Sequence, residues 1–162
     1  MTTIAYKAGI MACDSRWAYQ GMVDTGMTKI RRLASGALIG GSGDNDGRDI
    51  EALFQKVKTP AGLPSRTALM SIRCDYLGLL VLPRGRVFKI AATHISEPNW
   101  DKDMDGDIGI WEISQPFAAV GSGTEFAMGA MAAGKSAADA CRIACRFDIN
   151  SGLPVHQIKL AK

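Results

Sequence analysis

The chain is predicted to fold as α+β, with two sheets face to face and helices outside them. Three observations predict this. Strand-like and helix-like segments come in blocks (strands, helices, strands, helices, a last strand), which is not the alternation of a parallel βαβ sheet. Tight-turn signals at Ala8-Gly9, Ser35-Gly36 and Arg84-Gly85 join neighbouring strand-like runs as hairpins. The two helix-like segments near the C-terminus are rich in Ala and Met, and sheets between helix layers would bury those faces.

Thr2–Lys7 and Ile10–Ser15 form the first predicted hairpin, and Lys29–Leu33 with Ala37–Gly41 the second. A glycine-rich turn, GGSGDNDG, leads into GRDIEALFQKVK, where Ile50, Leu53, Phe54 and Val57 have helical spacing. That spacing predicts a helix of about three turns, closed by TPAGLP. Ser65–Arg73 is a shorter helical segment. YLGLLVLP is a continuous apolar run of strand length, and RGRVFKIAA turns at Arg84-Gly85 into its partner. GIWEISQP and PFAAVGSG read as further strands. Two helices follow, Thr124–Ala133 and Ser136–Phe147, with Ser136 a good N-cap for the second. Val155–Leu160 is the last predicted strand.

With 162 residues the chain fits a single domain spanning residues 1–162. Its 19 basic and 16 acidic residues leave a net charge of +3 with no Lys/Arg block, so no nucleic-acid partner is expected. No apolar stretch approaches the roughly 18 residues of a membrane helix, and no basic-then-apolar leader stands at the N-terminus. Cys13, Cys74, Cys141 and Cys145 have neither zinc-site spacing nor a disulfide framework. Buried free thiols in a cytoplasmic protein are the expectation.

Several motifs, in one order, resemble the β-type proteasome subunits and the bacterial HslV peptidase, which are N-terminal-nucleophile hydrolases. TTIAYKAGIMACDSR is similar to the family's opening Thr-Thr strand and the following strand that ends in Asp-Ser or Asp-Gly. TKIRRL resembles the segment carrying the active-site lysine, and ALIGGSGDNDG the glycine turn before the first helix. AAVGSG resembles the later Gly-Ser-Gly turn, and DINSGLP the Asp-x-x-Ser-Gly segment after the last long helix, in its proteasome form. The resemblance implies a four-layer αββα sandwich and a threonine-type endopeptidase with no required cofactor.

The chemistry explains why a threonine would stand behind the initiator methionine. If Met1 is removed, Thr2 carries both a hydroxyl and a free α-amine, whose reference pKa of about 7.7–8.0 suits a general base near neutral pH. One residue then supplies nucleophile and base. By the two-residue period of a strand, Thr3 faces the opposite side and is expected to be an inert neighbour. The resemblance implies that Lys29 sits beside Thr2 and eases deprotonation, and that Asp14 holds Lys29 charged and oriented. It also implies that the Gly41 N–H stabilises the oxyanion, that Ser122 contacts the terminal amine, and that Asp148 and Ser151 set the proton network. Met22 and Gly43–Asn45 are near where a specificity pocket would form.

The family further implies unfolded polypeptide or peptide as substrate, a homo-oligomeric ring, and an ATP-dependent unfoldase as partner. Ser65–Arg73 is shorter than the long second helix that helps the family build rings, which leaves ring geometry open. A second departure is an inserted acidic hairpin or loop around residues 93–114. It contains DKDMDGDIGIWE, which satisfies the EF-hand pattern at Asp101, Asp103, Asp105, Gly106 and Glu112, with Asp107 also in the loop. A structural calcium site is one reading of it, and a solvated acidic hairpin tip is the other. For the whole chain the alternatives to a peptidase are a non-catalytic subunit of a proteasome-like assembly and an amidohydrolase acting on a small amide.

Overall fold

The computed structural model describes residues 2–19, 22–43, 47–72, 75–92 and 108–161. Cys74, Asn45 and the acids Asp101, Asp103, Asp105 and Asp107 lie outside them, and so does most of the predicted insertion. In the first hairpin, β1 (Thr3–Lys7) pairs antiparallel with β2 (Ile10–Cys13), Ile4 opposite Cys13. A two-stranded ribbon follows, β3 (Trp17–Tyr19) with β4 (Met22–Asp24), which was not anticipated. The second hairpin joins β5 (Ile30–Arg32) to β6 (Leu38–Gly43).

The helix expected to run about three turns from Gly47 is cut short. Regular α-helix covers only Arg48–Ala52, here α1, and the chain continues in turns. Phe54 and Val57 donate to carbonyls three residues back, and the Gln55 carbonyl accepts from Ser35 in the β5–β6 turn. Docking on that turn takes a carbonyl a longer helix would use internally. The apolar spacing still does its work: Ile50, Phe54 and Val57 are buried.

After a 3-10 turn at Pro60–Gly62, α2 (Arg66–Ser71) begins at Ser65, whose hydroxyl accepts from the Ala68 N–H. Three strands complete the larger sheet: β7 (Tyr76–Val81), β8 (Val87–Ala92) and β9 (Ile108–Ile113). Next come β10 (Phe117–Gly121), α3 (Thr124–Ala132), α4 (Ala137–Phe147) and β11 (His156–Lys159). The sheets are antiparallel, ordered β10-β1-β2-β11 and β5-β6-β7-β8-β9. Among the described residues no helix is long and apolar enough to cross a membrane.

Strand alternation sorts side chains into three apolar layers. Ile4, Tyr6, Met11 and Cys13 of the smaller sheet meet Leu38, Leu79, Val81 and Val87 of the larger one. On the other face of the smaller sheet, Ala5 and Ala12 lie against Ala127, Met131, Ala140, Cys141 and Ala144 of α3 and α4. On the other face of the larger sheet, Ile39, Leu80, Phe88 and Ile90 pack with Ile50, Phe54 and Leu69. The layers run helix, sheet, sheet, helix. The larger sheet is covered on both faces, which is why YLGLLVLP shows no alternation.

One backbone contact fixes where β1 begins. Gly121 lies opposite Thr3 with φ of 100°, and a Cβ placed there would stand 1.9 Å from the Thr2 carbonyl oxygen. Gly121→Ala therefore meets both a left-handed backbone and a clash. It is expected to lose about 2 kcal/mol or more of stability, read as a lower urea midpoint at unchanged slope.

Candidate active site

Strand ends and loops converge at one place. Thr2 directly precedes β1, Asp14 directly follows β2, and Lys29 directly precedes β5. Ser122 follows β10, and Asp148–Gly152 form the turn after α4. The antiparallel pairing of β1 with β2 brings the start of one beside the end of the other, and the Asp14 N–H donates to the Thr3 carbonyl at 3.1 Å. Thr2, Thr3, Asp14, Lys29, Asp148 and Ser151 are all buried.

Asp14 is the centre. Its Oδ1 accepts from the Thr2 hydroxyl at 2.7 Å, the Thr3 N–H at 2.9 Å and Lys29 Nζ at 2.8 Å. Its Oδ2 accepts from the N–H groups of Arg16 at 2.9 Å and Gly152 at 3.0 Å. Lys29 Nζ also donates to the Arg16 carbonyl at 2.6 Å. Thr2 Oγ1 and Lys29 Nζ thus share one oxygen atom and are held close to each other.

A second carboxylate organises the neighbouring half. Asp148 Oδ2 accepts from Ser151 at 2.6 Å and from Ser122 at 2.7 Å, while its Oδ1 accepts from the Asn150 N–H at 3.1 Å. Burial works to raise the Asp148 pKa, but the hydrogen bonds from Ser151, Ser122 and Asn150 outweigh it and hold the carboxyl below the usual aspartate value. Ser122 Oγ also lies 3.4 Å from the Thr2 carbonyl oxygen, so it borders residue 2 through its backbone.

Gly41 stands in β6 across from Lys29, and its N–H donates to the Lys29 carbonyl at 3.2 Å. A Cβ at Gly41 would come within 2.3 Å of the Tyr76 ring. Packing against Tyr76 is thus a sufficient reason for glycine here, apart from any approach by substrate.

One expectation needs amendment. Thr3 does face away from Thr2, but it is no inert neighbour: its hydroxyl lies 2.6 Å from Ser151 Oγ and its N–H is bound to Asp14. Glu112 lies in β9, where both of its oxygens are held by Arg86, Oε1 by Nε at 2.6 Å and Oε2 by a terminal nitrogen at 2.5 Å. Glu112, the closing acid in the calcium reading of that loop, is thus ion-paired to Arg86, and the loop's aspartates lie outside the described residues. Among the described residues no group of His, Cys, Asp and Glu is placed to hold a metal.

Cysteine chemistry is disfavoured. Burial pushes the Cys13 and Cys145 thiols up to about 11 and raises Cys141 as well, which leaves little thiolate near neutral pH. Cys13, Cys141 and Cys145 are all unpaired thiols. What the arrangement can do is hold a hydroxyl, an ammonium and two carboxylates in a buried, ordered cluster.

No family model and no curated protein matches the chain. Solved structures do. Thiobacillus denitrificans BPH superposes with a TM-score of 0.62 at 23% identity, over 99% of this chain and 98% of that one. The same organism's BPH in complex with epoxomicin gives 0.63 at 24% identity, over 99% of both chains. The chain has the BPH fold. The match runs nearly end to end in both chains.

Proposed function

We propose that this chain is a threonine hydrolase of the N-terminal-nucleophile type, cleaving peptide bonds through Thr2 after removal of Met1. The observation that carries the reading is the shared oxygen: Asp14 Oδ1 accepts from both the Thr2 hydroxyl and the Lys29 ammonium. A lysine and an aspartate buried together against a threonine hydroxyl are costly to place inside a protein. Desolvated charge at a hydroxyl is what a nucleophile requires.

In this reading the freed α-amine of Thr2 takes the hydroxyl proton as Oγ attacks the peptide carbonyl. Lys29, held by Asp14 and the Arg16 carbonyl, favours the developing negative charge on Oγ. Ser122 has its single proton committed to Asp148, so its oxygen is left as an acceptor for an N–H of the amine. The amine then protonates the departing nitrogen, and the C–N bond breaks to leave an ester on Thr2. Water, deprotonated by the same amine, hydrolyses the ester and restores the hydroxyl. The Gly41 N–H would serve the oxyanion by sharing, since the Lys29 carbonyl already draws on it at 3.2 Å.

A protein of the same fold has been solved with epoxomicin, a proteasome inhibitor, which suggests the probe. A peptide epoxyketone needs both the hydroxyl and the amine of an N-terminal threonine. Incubation should give one covalent adduct by intact mass, on protein lacking Met1, and none on Thr2→Ala. Folded, Met1-free protein that forms no adduct and cleaves no peptide would overturn the proposal.

A further inference from the structure

We propose that Thr3 is a positioning residue that ties the Asp14–Lys29 half of the site to the Asp148–Ser122 half; the inference rests on the reading of Thr2 as nucleophile. Counting protons gives the contact a direction. A serine hydroxyl has one hydrogen to donate, and Ser151 gives its own to Asp148 Oδ2 at 2.6 Å. At the 2.6 Å contact between Thr3 and Ser151 the donor is therefore Thr3. The bonds run one way, from Thr3 through Ser151 to Asp148, where Ser122 arrives from the other side.

The bonds enclose the peptide link between residues 2 and 3. Its carbonyl lies 3.4 Å from Ser122 Oγ, and its N–H is bound at 2.9 Å to Asp14 Oδ1. That oxygen also receives Thr2 Oγ1 and Lys29 Nζ. Thr3 touches both carboxylate systems, through its backbone N–H to Asp14 and through its hydroxyl to Ser151, which donates to Asp148. The hydroxyl has a fitted place, because a Cβ on Gly123 would stand 2.0 Å from Thr3 Oγ1. Chained hydrogen bonds polarise one another, so the Thr3 donor strengthens the hold of Ser151 on Asp148 and, through it, the setting of Ser122 beside residue 2.

Thr3→Val keeps shape and strand preference and removes only the donor. Turnover of a fluorogenic peptide is expected to fall about tenfold in kcat, with KM within a factor of about two. The Asp148 carboxyl, followed by carbon NMR against pH, should titrate at a higher midpoint. The titratable group that senses it is Cys145 on α4, which also senses Asp14, Lys29 and Arg16, and the hydrogen-bond donors to Asp148 itself are Ser151, Ser122 and Asn150. None of these is altered by the substitution. Thr3→Ser, which keeps the hydroxyl, should restore both kcat and midpoint. Ser151→Ala cuts the same chain from its middle, and the double variant should be no slower than the worse single one.

An unmoved Asp148 midpoint in Thr3→Val, failure of Thr3→Ser to rescue, or additive losses in the double variant would each overturn the inference. The titration needs no turnover and can be read in an inactive protein. If Thr2→Ala still hydrolysed peptide, the reading of Thr2 would fall while the NMR result continued to judge Thr3.

Discussion

Thr2→Ala is expected to lose peptide hydrolysis by about four orders of magnitude or more. Stability should change by only about 1 kcal/mol, the scale of one hydrogen bond. The contrast follows from the geometry. The substitution removes the oxygen proposed to attack, yet Asp14 keeps four of its five donors: Thr3, Lys29, Arg16 and Gly152. Nothing charged is left unpaired, so the cluster and the fold persist. Thr2→Ser retains hydroxyl and amine and should stay within about tenfold of the natural chain. Each protein is checked by intact mass for loss of Met1 before assay. Full activity in a Met1-free, folded Thr2→Ala protein would show that another group attacks, and the burial-raised thiol of Cys13 beside Asp14 is a poor substitute.

Much of this arrangement was legible in the order of residues, and what was not has identifiable causes. The antiparallel hairpin follows from Ala8-Gly9, and with it the nearness of Thr2 to Asp14. Lys29, Ser122, Asp148 and Ser151 were singled out by resemblance, and the fold brings all of them to the same end of the sheets. The anchoring of Asp14 by the Arg16 and Gly152 N–H groups could not be read. Backbone groups carry no residue signature, and residue 152 meets residue 14 only through the last turn. Thr3 was misjudged for a related reason. Alternation tells which way its side chain points but not that Ser151 waits there. The pairing of Glu112 with Arg86 could not be read from the EF-hand pattern, because a one-dimensional motif ignores cross-strand neighbours, and β9 lies beside β8 near Arg86. The short α1 reflects tertiary docking on the β5–β6 turn, which overrides helical spacing.

Asp14→Asn is expected to destroy the proposed activity and to destabilise the fold by about 3–5 kcal/mol, far more than loss of the Thr2 hydroxyl does. The substitution is isosteric, so the cost is electrical and directional. Every partner of Asp14 is a donor: Thr2 Oγ1, Thr3 N and Lys29 Nζ on one oxygen, Arg16 N and Gly152 N on the other. An amide must turn its NH₂ toward one of these sets, and either choice opposes donor to donor. It also removes the countercharge of Lys29, which is only 7% exposed. A buried ammonium without its carboxylate is the expensive half of a broken pair. The double variant Asp14→Asn/Lys29→Met removes that ammonium too and should regain a substantial part of the lost stability while remaining inactive. Urea denaturation of the four proteins closes a double-mutant cycle that isolates the pair. A coupling near zero would mean that Lys29 is not held by Asp14. The site would then lack the charge pairing on which the proposed activation of the Thr2 hydroxyl depends.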